Sequence, residues 1–145
     1  MAADSKASVT WQGDIKTGTG VVSLDSSQAA GPLDVTFPAR TGDQEGLTTP
    51  EELIAAAHAT CYSMSLSGAL ARSGNAPDKL DTSAVVTFST DGGPHISKVV
   101  LSVVGEVPGV DAEAFGQAAA AAKDACPVSK LMAGNVELTL DARLA

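Results

Sequence analysis

Thr49-Pro50-Glu51-Glu52-Leu53-Ile54-Ala55-Ala56-Ala57-His58-Ala59-Thr60-Cys61, continued by Tyr62 and on to Ser73, is the stretch whose reading decides the fold. A threonine ahead of a proline and two glutamates is a helix start. Thr49 serves as N-cap, Pro50 occupies the first helical position, where no amide partner is needed, and Glu52 closes a capping box. Glu51 is left without that structural duty. The helix is expected to run to Ser73, where Gly74 and Pro77 stop it. Its apolar residues, among them Leu53, Ile54, Tyr62, Met64, Leu66 and Leu70, surround the axis rather than forming one stripe, as in a helix buried in the middle of a structure. One small sheet covers only one side of such a helix, so the other side is expected to meet a second subunit.

Upstream, Ser8–Trp11, Gly18–Leu24 and Leu33–Phe37 are short β-forming runs separated by turn residues, and a polar, glycine-rich loop runs from Arg40 to Thr48. Downstream, Leu80–Thr90 and Ile96–Val107 are longer β-rich runs joined by Asp91-Gly92-Gly93-Pro94, a strong hairpin signal. Asp111–Asp124 reads as a second helix with Asp111 as N-cap. Pro127 drives Cys126 into an extended conformation, so this helix should break at the cysteine and a short new turn should start at Pro127. Asn135–Arg143 closes the chain as a strand. The order βββ-α-ββ-α-β predicts one α+β domain over residues 1–145, with a mostly antiparallel sheet and a long buried central helix.

The 145 residues carry 9 Lys and Arg against 17 Asp and Glu, a formal charge of −8 that repels phosphate backbones and anionic lipid surfaces. Nucleic acid is a poor partner for such a chain. No apolar run reaches the roughly 20 residues that span a bilayer, so no membrane partner is expected. Met1–Ser8 lacks the apolar core of a signal peptide, which makes a reducing, cytoplasmic compartment the expectation. Aromatics are only 3% of residues, so the core must be built from thin aliphatic side chains that let helices approach closely.

Two cysteines, Cys61 and Cys126, are the most chemically capable residues. In a reducing compartment they are buried bystanders, metal ligands or working redox groups. Cys61 lies about three turns into its helix, beyond the reach of the N-terminal dipole, whereas Cys126 stands at a helix start where backbone N–H groups favour a thiolate. On local position Cys126 is the better acid. A cation near a reacting sulfur also stabilises charge growing on a departing oxygen. Of the three arginines, Arg40, in the loop feeding the cysteine helix, is best placed to supply it. Glu51 is free to orient an arginine. His58, three residues before Cys61, makes a Cys–His nucleophile conceivable, but two residues of one rigid helix seldom align for proton transfer, and a satisfied core histidine is the better reading. His95, beside the hairpin turn, looks like surface. No Cys-x-x-Cys or His-x-x-x-His pair anchors a metal, and no bound cofactor is expected.

These motifs together resemble the osmotically inducible protein C (OsmC) and organic hydroperoxide resistance family. The resemblance runs through Trp11-Gln12-Gly13-Asp14-Ile15-Lys16-Thr17-Gly18-Thr19-Gly20, Pro50 to Met64, Val107-Pro108-Gly109-Val110-Asp111 and Cys126-Pro127-Val128-Ser129-Lys130. It implies thiol-dependent reduction of organic hydroperoxides and hydrogen peroxide by an intertwined homodimer. Cys61 matches the family's peroxide-attacking cysteine, Cys126 its resolving cysteine and Glu51 its acidic partner. The early Gly-Gly-Arg motif of the hydroperoxide resistance branch is absent, and the start resembles the OsmC branch, whose arginine comes from the later loop and matches Arg40. Thr49 stands where the family usually has asparagine, and Tyr62 where it often has phenylalanine. The resemblance also implies a Cys61–Cys126 disulfide recycled by an external lipoyl-type dithiol such as dihydrolipoamide.

Two rivals come from other classes: a redox-sensing or stress-binding protein that uses the same disulfide as a switch, and a Cys–His hydrolase using Cys61 and His58. Ten residues separate Glu51 from Cys61, about 15 Å of rise on a straight helix, so Glu51 is expected to serve the sulfur of another subunit rather than its own.

Overall fold

The computed structural model describes residues 1–42 and 44–145, so the expected loop from Arg40 to Thr48 is described except at position 43. The chain divides into two compact units, Met1–Leu53 and Ile54–Ala145.

In the first unit, β1 (Ser8–Gln12), β2 (Thr19–Ser23) and β3 (Leu33–Val35) form an antiparallel sheet in chain order, with Trp11 opposite Gly20. The Asp14 carboxylate shapes the first turn by accepting from the amides of Lys16 and Thr17 at 2.7 and 3.0 Å. A 3-10 turn, Pro38–Arg40, follows β3; it is pinned by buried Ala39, whose amide donates to the Thr36 hydroxyl at 3.3 Å. Helix α1 (Pro50–Arg72) then starts where the sequence places it. The Thr49 hydroxyl accepts from the Glu52 amide at 3.1 Å, the expected half of the capping box. The other half differs: the Glu52 carboxylate accepts from the Thr48 hydroxyl at 2.7 Å. A hydroxyl one residue further back offers the carboxylate a charge-assisted bond without folding the side chain onto its own backbone.

In the second unit, β4 (Lys79–Ser89) and β5 (His95–Glu106) make the expected hairpin, with Gly92 and Gly93 at φ 74° and 112° in the left-handed region that the turn requires. Helix α2 (Ala112–Ala125) is capped by Asp111, whose carboxylate accepts from the Ala114 amide at 2.8 Å. Cys126 is extended (φ −59°, ψ 124°), and α3 (Pro127–Met132) starts immediately after it. Strand β6 (Glu137–Leu144) pairs with β5 in parallel, completing the order β4-β5-β6. A parallel neighbour needs a crossover, and α2 with α3 provides it.

The core of this unit lies between α1, α2 and the buried face of β5. Tyr62, Leu66 and Leu70 of α1 meet Leu101 and Val103 of β5 and Phe115, Ala119 and Ala122 of α2, all nearly or fully buried. Large side chains of this kind each contribute about 2 kcal/mol on burial. Alanines on α2 and Gly105 on β5 let the layers approach: a Cβ on Gly105 would stand 2.5 Å from the Phe115 ring. On α1 the apolar surface resolves into one buried stripe of His58, Tyr62, Leu66 and Leu70, while Ala56, Thr60 and Met64 stay exposed in the single chain. No helix among the described residues is long and apolar enough to cross a membrane.

Candidate functional site

Arg40 and Glu51 meet within the first unit. Glu51 is 6% exposed, and a carboxylate at that depth needs a cation. Arg40 supplies it through one edge of its guanidinium: Nε donates to both carboxylate oxygens at 3.2 Å, and Nη2 donates to Oε1. The guanidinium carbon lies 5.7 Å from the centroid of the Phe37 ring, so the cation is also held over an aromatic face. The 3-10 turn aims Arg40, and the first turn of α1 aims Glu51. An apolar cleft of ≈ 650 Å³, lined by Val9, Trp11, Ile15, Val22, Phe37 and Leu53, opens beside Arg40.

Cys61 and Cys126 meet within the second unit, both as free thiols. Cys61 is partly exposed on α1, and Cys126 is fully buried at the junction of α2 and α3. The two thiols lie close enough for each to shift the ionisation of the other, and the Val128 amide at the start of α3 acts on both. Burial pushes the Cys61 thiol up; the Val128 amide opposes this, while Cys126 pushes it further up. Burial works against the Cys126 thiolate too, but is outweighed by the Ser129 amide, the Cys61 thiol, the Ser129 hydroxyl and the Val128 amide, so the Cys126 thiol lies below its ordinary value. The pair therefore gives up one proton readily and a second reluctantly. Proline at position 127 ends α2 at the cysteine and places Cys126 at the start of α3, beside that helix's first, unpaired amides.

His58 is fully buried, with Nε2 2.8 Å from the Ser129 hydroxyl, and burial holds its imidazole below the usual histidine range. It adjoins the Cys126 side of the pair through Ser129. His95 is exposed, with Nδ1 2.8 Å from the Gly93 carbonyl oxygen. Ser129 and Val128 are the residues that sequence reasoning passed over. The signal was a serine three residues after a cysteine that starts a helix. Among the described residues no group of three or more His, Cys, Asp and Glu side chains is gathered as a metal ion needs.

Residues 42–141 match the family of OsmC-like proteins. The chain is 41% identical over 145 residues to the peroxiredoxin OsmC of Escherichia coli (strain K12), covering 99% of both chains. It is 33% identical over 120 residues to the organic hydroperoxide resistance protein OhrA of Bacillus subtilis (strain 168), covering 80% of this chain and 83% of that one. Its fold superposes on the crystal structure of the Bacillus subtilis organic hydroperoxide resistance protein OhrB with a TM-score of 0.72 at 27% identity, covering 95% of this chain and 98% of that one.

Proposed function

Because the chain belongs to the OsmC-like protein family, we propose the following chemistry for it. It is a thiol-dependent peroxidase that reduces hydroperoxides, and its two units work as one domain. The observation that carries this reading is the pair of mutually interacting free thiols, with Cys61 partly exposed and Cys126 buried.

Cys61 is the sulfur a peroxide can reach. Its proton passes to the neighbouring Cys126 thiolate as the Cys61 sulfur attacks the outer oxygen of ROOH. The S–O bond forms, the O–O bond breaks, and RO⁻ leaves as ROH with the proton that Cys126 received. Cys126, a thiolate again, attacks the sulfenic sulfur. The S–S bond forms, the S–O bond breaks, and hydroxide leaves as water with a proton from solvent. The pair loses two electrons and the peroxide gains them. An external dithiol of the lipoyl type then restores both thiols by exchange. Arg40, fixed by Glu51, stabilises the negative charge on the departing oxygen. The apolar cleft beside Arg40 supports a preference for organic over inorganic peroxide. A net charge of −8 and the absence of a membrane-crossing helix among the described residues are consistent with a cytoplasmic enzyme.

Peroxide consumption driven by dihydrolipoamide is expected to exceed that driven by a monothiol at equal thiol concentration, because a dithiol completes the exchange intramolecularly. Oxidation that stops after one equivalent of peroxide, whatever the reductant, would instead identify a sensor.

The open face of α1, with Met64 70% exposed, supports a homodimer, and the helix spacing of Glu51 and Cys61 supports a site shared between its subunits. A mixed dimer of one Glu51→Ala chain and one Cys61→Ser chain then has one site with both lesions and one intact site. About half of the parent activity should return. Activity no higher than that of the Glu51→Ala dimer would mean that each site is built within one chain.

A further inference from the structure

Trp11, the single tryptophan, is 41% exposed, yet its ring is held in place. Val9 and Trp11 of β1 stand opposite Val22 and Gly20 of β2, and Val35 of β3 stands opposite Gly20, so all five share one face of the first sheet. Apart from the glycine, they line the cleft beside Arg40. Gly20 is buried, and a Cβ added there would stand 2.7 Å from Cε3 of the indole and 2.8 Å from Cγ2 of Val35. The ring thus lies in the space that a side chain on β2 would fill. At its other end Nε1 donates to the Gly13 carbonyl oxygen at 3.0 Å. The one polar atom of the indole is thereby satisfied, and what the ring turns to the cleft is flat and apolar. The polar end of the same cleft is Arg40, held by the Glu51 carboxylate and the Phe37 ring. A cation at one end and a fixed aromatic wall beside it suit a small molecule with an oxygen head and a flat apolar body.

We propose that Trp11 is a specificity-determining residue: its indole is the platform on which the planar group of an aryl hydroperoxide lies while the peroxide oxygens meet Arg40. The inference rests on the reading of Arg40 as the group that faces the peroxide. An aryl ring against the indole gains the ring-to-ring attraction in addition to the area it removes from water, whereas a branched alkyl group has no flat face to offer. The contact is made away from the oxygen that reacts and is equally present before and during O–O cleavage. It therefore belongs to uniform binding, and its loss is expected to raise KM for aryl substrates and to leave their kcat close to the parent value.

The test has two readouts. Cumene hydroperoxide differs from tert-butyl hydroperoxide by a phenyl group in place of one methyl, so the ratio of their kcat/KM values isolates the ring contact from the chemistry common to both. Trp11→Ala should lower that ratio about tenfold, through KM. Trp11→Phe, which keeps an aromatic face, should retain most of it. Gly20→Ala, which leaves the indole in place but displaces it from its seat, should lower the ratio in the same direction. In the unreactive Cys61→Ser protein, the alcohol product 2-phenyl-2-propanol should change the emission of the single tryptophan saturably, and tert-butanol at the same concentration should not. A ratio equal to the parent's in Trp11→Ala overturns the inference, as does an emission that the phenyl alcohol leaves unchanged. A Trp11→Ala protein that elutes at a smaller size than the parent, with no response of the parent to the alcohol, would show the indole to be covered by a second copy of the chain and would overturn it too. If the parent reduces neither peroxide, the peroxidase reading is what fails, and the emission titration alone still decides whether Trp11 receives an aryl group.

Discussion

Replacing Cys61 with serine is expected to remove hydroperoxide turnover, lowering dithiol-driven consumption by more than about 1,000-fold. Serine fills nearly the same space on α1 and keeps a donor toward Cys126, so the fold has no reason to change. What is lost is the sulfur that can accept an oxygen atom and be recovered. Cys126 cannot take over. Its thiolate is better stabilised than that of Cys61, but it is fully buried, and a peroxide carrying an organic group has no path to it. Ionisation is thus the weaker determinant of which sulfur reacts, and access the stronger. Peroxide consumption with dihydrolipoamide measures the effect directly, and a Cys61→Ser protein that turns over at the parent rate removes Cys61 from the reaction.

Replacing Cys126 with serine should leave the protein able to react once and then lose it. The Cys61 sulfur still meets peroxide, but the sulfenic acid has no neighbouring thiolate to condense with. Excess peroxide then carries it to the sulfinic acid, from which dithiols do not return it. Intact-mass analysis should show the gain of one oxygen at one equivalent and of a second in excess, where the parent shows the loss of two hydrogens. Sustained turnover with a dithiol and no oxygen gained at Cys61 would exclude the resolving role. The two substitutions differ in kind: one prevents the first bond to oxygen, the other prevents escape from it.

Local chemistry in the sequence was enough to locate most elements. Thr49 and Pro50 start α1, Gly92 and Gly93 turn the hairpin, Asp111 caps α2, and Pro127 breaks the chain at Cys126, each because one residue type imposes one backbone state. The pairing of Arg40 with Glu51 could be anticipated because a free glutamate at a helix start and an arginine in the preceding loop are close in the chain. The parallel pairing of β5 with β6 could not. An alternating strand pattern is the same for either direction, and only the crossover decides it. Nor could the contact of His58 with Ser129, which lie 71 residues apart and meet because α3 packs beside α1. The all-round apolar surface of α1 was legible, but which part of it the single chain buries depends on where β5 and α2 fall.

The crossover between β5 and β6 has a consequence for resistance to unfolding. Cys61 precedes β4 and β5 and Cys126 follows them, so a bond between the two sulfurs closes a roughly 65-residue loop around the hairpin. In the chain-entropy view, closing a loop of that size withdraws freedom from the unfolded ensemble worth about 4 kcal/mol. On the proposed mechanism, the disulfide form is therefore expected to be the harder one to unfold and the dithiol form the softer one. A cycle through that disulfide would alternately fasten and release the scaffold that holds the thiols together.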